Sequence, residues 1–224
     1  MKYLIILLLF LQLPLLQAQE NPYGLQIINS PAAYRKSVKE NPNNALVDIQ
    51  KVVPGVVLDI RYATTNNFMQ RVMYPAAKAY ARKPVVEQLQ KIQAAFKKMG
   101  YGLKIYDAYR PYAITVAFYQ KSFDKRFVAN PKSGSRHNRG CAVDLSIIDL
   151  KTGKDVPMPT PYDSFNKAAA ADYSALDPVV KKNRDLLITV MRKHGFKVMY
   201  NEWWHYDFNG WEQYDLMDIP FKNL

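Results

Sequence analysis

The chain is short of the residues that most often staple an exported protein or crowd a metal site. Its 224 residues include one cysteine, Cys141, and three histidines, His137, His194 and His205. A single cysteine excludes an internal disulfide, so the fold must rest on packing and on any metal it binds. There is no glycine-rich phosphate loop and no regular βαβα alternation, which sets the chain apart from parallel nucleotide-binding sheets. Internal repeats, low-complexity segments and composition breaks are also missing, so one domain is expected. Lys and Arg outnumber Asp and Glu by 31 to 19, a net charge of +12, but no basic run reaches five residues. Scattered charge of this kind favours solubility and weak attraction to an anionic cell envelope, and no nucleic-acid partner is expected.

What is present begins with a leader. Met1-Lys2-Tyr3 precedes an apolar run from Leu4 to Leu16, then Gln17-Ala18-Gln19-Glu20. This reads as a secretory signal peptide over residues 1–18, cleaved after Ala18, with residues 19–224 as the working domain. Pro14 interrupts the run, which is too short to span a bilayer, so no stable membrane insertion is expected after cleavage. With no cysteine near the cleavage point, no bacterial-type lipid anchor is expected. An exported chain without disulfides fits a periplasm.

Along the chain, Ser30 and Pro31 open a short helix to Lys39. Val56 to Tyr62 reads as a strand. The clearest helix is Pro84 to Met99, where Val85, Leu89, Ile92, Phe96 and Met99 recur at threes and fours before Gly100. Leu103 to Asp107 reads as a strand that hands over at Arg110-Pro111 to a helix from Tyr112 to about Phe123. Ala142 to Asp149 is a strand and Thr152-Gly153 a hairpin turn, followed by an extended loop through Pro157, Pro159 and Pro161. Residues 166–176 read as loosely helical. Asp177-Pro178 caps a helix from Val179 to His194, and strands follow over 196–200 and about 204–208. The tail from Trp211 is expected to pack outside the core. The fold class is α+β, with a mainly antiparallel central sheet flanked by helices in a single domain.

The chemistry concentrates in two runs. Ser135 to Asp144 carries His137 and Asp144; Glu202-Trp203-Trp204-His205 adds a second histidine and a second carboxylate. Two imidazoles and one carboxylate make a three-ligand metal set with an open fourth position, and leave one carboxylate for proton transfer. His137 lies an odd number of residues from Asp144, so a regular strand would turn them to opposite faces; Gly140 can supply the turn that brings them together. A bend is likewise needed for His205 to ligate while Glu202 stands one water away as general base. Taken singly, a loop histidine is usually just solvated and an aspartate entering a strand often caps a turn. His194, in the last turn of a helix where a cation favours the dipole, reads as structural. Cys141 reads as a small buried residue facing away from Asp144, and Trp203 and Trp204 as core or pocket wall. Arg110, where a strand meets a helix, is either functional or a surface arginine paired with a neighbouring acid.

Ser135-x-His137-x-x-Gly140-x-Ala142-x-Asp144 followed by Glu202-x-x-His205 resembles the zinc D-Ala-D-Ala peptidases. Asp107 to Pro111 and Asp59 to Phe68 resemble the dipeptidase branch of that family in particular. The resemblance implies a Hedgehog/DD-peptidase-like fold and one zinc ion held by His137, Asp144 and His205. It implies Glu202 as general base and acid, Arg110 at the oxyanion, and Ser135 and Asp163 as contacts to a small D-Ala-D-Ala-like peptide. Cytoplasmic members of the branch act inside cells; the leader here implies turnover of wall-derived dipeptide instead. Other readings are a zinc DD- or LD-carboxypeptidase trimming longer wall peptides, or a zinc-stabilised binding module. The presence of Glu202 and Arg110 argues against the last, because a structural site needs neither.

Overall fold

The computed structural model describes residue 21 and residues 23–224, so the expected signal peptide and its boundary lie outside the described residues. The elements run β1 (Ile27–Ile28), α1 (Pro31–Glu40), β2 (Leu46–Asp48), α2 (Ile49–Val52), β3 (Val57–Leu58), β4 (Tyr80–Arg82) and α3 (Lys83–Lys97). They continue with β5 (Tyr101–Asp107), α4 (Tyr112–Lys121), β6 (Ala142–Asp149), α5 (Pro178–Lys193), β7 (Phe196–Met199), β8 (Glu202–Phe208) and β9 (Leu216–Met217). Five strands form the central sheet in the order β3-β5-β6-β8-β7. The β5–β6, β6–β8 and β7–β8 pairings are antiparallel, but β3 joins β5 in parallel. The sheet is therefore mixed, which corrects the expectation of a mainly antiparallel one. Parallel neighbours need a crossover, and the excursion from β3 through β4 and α3 to β5 supplies it.

Local chemistry sets the element ends. Ser30 Oγ accepts from Ala33 N at 3.2 Å to start α1. Asp177 Oδ1 accepts from Val179 N at 2.8 Å to start α5, with Pro178 at the first helical position. The apolar stripe of α3 places Val85, Leu89, Ile92 and Phe96 fully out of solvent. Such burial contributes about 1.5–3 kcal/mol per side chain, as an upper bound. α3 packs on β5, α5 packs on β7, and the two helices touch. Along β6, Val143, Leu145 and Ile147 enter the core, so alternation turns Asp144 and Ser146 to the other face.

Three segments depart from the sequence reading. The strand expected over 56–62 is only β3; from Arg61 to Ala63 the chain makes a 3-10 turn. There Asp59 pairs with Arg61 at 2.9 Å and Lys104 at 3.2 Å. Tyr62 O accepts from Met73 N and Tyr74 N instead of a ladder partner. The 166–176 segment is helical only over Lys167–Ala169, as a 3-10 turn. The tail is not peripheral. β9 pairs with β1, Met217 and Ile219 are fully buried, and the Tyr109 hydroxyl donates to Ile219 O at 3.0 Å and accepts from Ile219 N at 2.7 Å. Residues 152–155 do turn back, but β6 gains only one bridge, Ile148 to Asp155.

Candidate active site

The sheet register builds the site. Asp144 on β6 lies opposite His205 on β8, and Asp107 on β5 lies opposite Asp144. Opposed residues project to one face, close enough to touch. Asp107, Asp144 and His205 thus form a row across three strands; β5 joins it after a bulge between Ile105 and Asp107.

His137 enters from the 3-10 turn His137–Arg139, immediately before β6. Gly140 ends that turn at φ 69°, and a Cβ there would come within 2.6 Å of Leu46 Cδ2. Arg82 clamps the turn: its amide donates to Gly140 O at 2.9 Å and its Nε to Arg139 O at 2.7 Å. Ser135 lies on the cavity wall, where its Oγ accepts from His137 N at 3.2 Å. Asn138 ties the same turn to α4, donating to Arg110 O and Thr115 Oγ1 at 2.8 Å each.

On β8 the register breaks. Val198 pairs with Tyr206 but Met199 pairs with Glu202, so Trp203, Trp204 and His205 bulge between them. Strict alternation fails here, and Glu202 and His205 both line the cavity, with Oε2 of Glu202 3.9 Å from Nδ1 of His205. Trp203 and Trp204 are core, edge to face at 5.5 Å.

Second bonds decide which nitrogen each imidazole presents. His137 Nδ1 lies 2.7 Å from Ala108 O, so it carries the proton and leaves Nε2 as the lone pair. His205 Nε2 lies 2.9 Å from Asp207 Oδ1, which leaves Nδ1. The two free nitrogens are 3.2 Å apart, and Asp144 Oδ1 lies 3.3 Å from His137 Nε2 and 3.0 Å from His205 Nδ1. Tetrahedral bonds of about 2.0–2.1 Å imply ligand separations near 3.3 Å, so this triangle fits one face of a zinc-like centre. Asp144 Oδ1 is buried and makes no hydrogen bond despite both nitrogens nearby. Its Oδ2 accepts from the Tyr162 hydroxyl at 2.9 Å. An unsatisfied carboxylate oxygen between two imidazole lone pairs is the donor set of a metal cation.

The electrostatics agree with a cation-demanding site. Burial alone would raise the Asp144 carboxyl, yet His137 and His205 hold it well below the usual carboxylate range. Burial disfavours a charged His205, but Asp144 and Asp207 lift its pKa to about 10, so a cation at the triangle must displace the Nδ1 proton to use that lone pair. Changing Asp207 to Ala is expected to lower metal affinity about 10–100-fold, because His205 loses the acceptor that orients it. Competition with a chelator measures this, and unchanged affinity would remove Asp207 from that role.

Around the triangle is a cavity of about 240 Å³. Arg110 lies on its wall, buried between Phe118 and Tyr62, with its guanidinium 4.7 Å and 5.4 Å from the two rings. Its Nε and Nη2 donate to Asp107 Oδ2 at 3.1 and 2.6 Å. Burial works against its charge, but Asp107 raises its pKa well above the ordinary value. Asp163 adopts φ 59°, a left-handed conformation that is uncommon outside glycine and concentrates at functional positions. Its Oδ2 accepts from the Tyr62 hydroxyl at 2.8 Å, and burial pushes its pKa up to about 8 against that bond. Glu202 is raised by burial to about 7, with His205 opposing and Asp144 reinforcing.

Tyr162, Asp207, Tyr62 and Arg82 were not singled out from sequence. Asp207 had a signal, since it lies two residues from His205 and so on the same strand face. Cys141 is fully buried, and burial lifts its thiol to about 12 despite Arg82 and Arg139. His194 caps α5, a structural position, and burial together with Lys193 and Lys91 lowers its pKa.

Residues 42–221 match the family model described as D-ala-D-ala dipeptidase, Peptidase M15. The chain is 30% identical over 177 residues to the D-alanyl-D-alanine dipeptidase of Escherichia coli (strain K12), covering 79% of this chain and 91% of that protein. It is 29% identical over 198 residues to the enzyme of that name from Enterococcus faecium, covering 78% and 93%. The corresponding protein of Enterococcus faecalis is 27% identical over 203 residues, covering 80% and 95%.

Proposed function

Because the chain belongs to the D-ala-D-ala dipeptidase family of peptidase M15 and is a peptidase, we propose that it hydrolyses free D-alanyl-D-alanine to two D-alanines. In this reading His137, Asp144 and His205 hold one zinc ion and Glu202 is the general base. The observation that carries it is the open-sided donor triangle with a second, non-ligating carboxylate, that of Glu202, 3.9 Å from His205 Nδ1. Zinc, when bound, supplies Lewis acidity and lowers the pKa of water to about 7.

The remaining work falls to side chains. Glu202 Oε2 takes a proton from the attacking water and returns one to the leaving amine. Arg110 keeps Nη1 free of Asp107, and that donor would meet the oxygen where charge develops. Tyr62 holds Asp163 in position to receive the dipeptide's ammonium, whose charge would favour the ionised carboxylate. Ser135 lies on the same wall. A volume of about 240 Å³ is below the roughly 300–1,000 Å³ of drug-sized pockets, which suits a very small peptide. Export to a periplasm and turnover of wall-derived dipeptide complete the proposal; they rest on the leader-like residues 1–18 and the net charge of +12.

The test is hydrolysis of free D-Ala-D-Ala against its N-acetyl derivative by zinc-loaded protein. Acylation removes the ammonium and one charge-assisted bond, so kcat/KM is expected to fall about 10–150-fold. Activity on the blocked peptide alone would replace this reading with a carboxypeptidase acting on longer wall peptides.

A further inference from the structure

We propose that Arg136 anchors the substrate's C-terminal carboxylate and makes the site read a free C-terminus. The inference rests on the peptidase reading of this cavity and goes on to the group at the far end of the peptide. A dipeptide is a zwitterion; Asp163 can meet its ammonium, and its carboxylate needs a cationic donor. Three arginines line the cavity, Arg110, Arg126 and Arg136. Arg110 is engaged by Asp107 through two nitrogens. Arg126 has an 81% exposed side chain and binds Asp124 through Nε and Nη2.

Arg136 differs from both. It donates no hydrogen bond to any described residue, and its Nε is buried without a partner, 3.7 Å from Asp207 Oδ2. Its guanidinium carbon sits 4.6 Å from the Trp211 ring centre. Stacking on an aromatic ring fixes a guanidinium while leaving its edge donors free, and that planar fork matches a carboxylate. Arg136 lines the same cavity as Ser135 and the candidate ligands His137, Asp144 and His205.

A second cleft, of about 540 Å³, also has Arg136 in its wall, together with Lys197, Trp211 and Glu212. Space therefore continues beyond Arg136. Selection for a chain end at this point comes from the charge of Arg136 more than from a wall.

The experiment uses zinc-loaded Glu202→Gln protein, in which cleavage of the dipeptide is about 10³–10⁴-fold slower, with and without Arg136→Met. Each is titrated calorimetrically with D-Ala-D-Ala and with its C-terminal amide. The parent is expected to prefer the acid about 10–150-fold, as for a charge-assisted hydrogen bond, and Arg136→Met to bring acid and amide together. An acid preference that survives in Arg136→Met, or is missing from the parent, overturns the proposal. Should Arg136→Met lose zinc or fail to fold, Arg136→Lys decides: a point charge cannot reproduce the fork, so the acid-to-amide ratio must fall, and an unchanged ratio overturns the proposal. Turnover by the wild type without an acid preference removes the anchor and keeps the peptidase reading. An acid preference without turnover of D-Ala-D-Ala does the reverse.

Discussion

Replacing Glu202 with glutamine is expected to cut kcat about 10³–10⁴-fold while the protein still binds one zinc ion. The size follows from losing a positioned general acid–base group. The separation of roles follows from geometry. Asp144 turns Oδ1 to the imidazoles and Oδ2 to Tyr162, and Asp163 is held by Tyr62. Glu202 accepts no hydrogen bond from the described residues' side chains and is only 12% exposed, so its oxygens are available to the reaction. The pH profile carries the sign of the same argument. Burial raises Glu202 to about 7, and a base must be ionised, so kcat/KM should rise with pH through this pKa. A bound dication favours the carboxylate and moves that limb below 7. Zinc analysis and a pH–rate profile of wild type and variant check both parts. If Glu202→Gln protein loses its zinc, Glu202 is a ligand; if it keeps its rate, the base lies elsewhere.

Replacing Arg110 with methionine is expected to damage stability and turnover together. Asp107 is 1% exposed; its Oδ1 accepts from the Tyr74 hydroxyl at 2.8 Å and Ala108 N at 2.9 Å, while Oδ2 depends on Arg110. Removing the guanidinium leaves a buried carboxylate half unsatisfied, a change that costs about 3–5 kcal/mol for buried pairs. For a chain of this size that lowers Tm by roughly 6–20 °C. Loss of an oxyanion donor adds about 10²–10³-fold in kcat at temperatures where the variant is folded. Arg110→Lys should recover more Tm than kcat, because a point charge can satisfy Asp107 but cannot also direct a free edge nitrogen. A thermal melt and kinetics at 20 °C separate the effects. Equal recovery of both would make Arg110 a purely structural partner of Asp107.

Much of the fold was legible because the relevant signals are local. The 3.6-residue stripe of α3, the Asp177-Pro178 start of α5 and the β-branched run of β6 each name their element within a few residues. Long-range pairings decided what was missed. Nothing local in Val57-Leu58 says that β3 will lie parallel to β5, and nothing in Leu216-Met217 says that this pair will dock beside β1. The Val56–Tyr62 run satisfied strand propensity, but the Asp59–Arg61 pair and the bonds to Tyr62 O won over it. The site showed the same division. Histidines and carboxylates at characteristic spacings stand out in a chain with three histidines. Tyr162 and Arg82 do not, since a tyrosine in a proline-rich loop and an arginine before a helix acquire meaning only from their partners in space.

The pairing of Asp144 with His205 has a consequence for how the sheet is held in alignment. A slip of one residue between β6 and β8 would set His205 against Val143 or Leu145, whose side chains point to the opposite face. The donor triangle would then not exist. A metal at this triangle accordingly acts as a pin through the two strands, binding only the correctly aligned pair and adding about 2.7 kcal/mol at a hundredfold excess over Kd. Metal content measured on refolded protein thus doubles as a count of molecules whose strands closed in the right alignment.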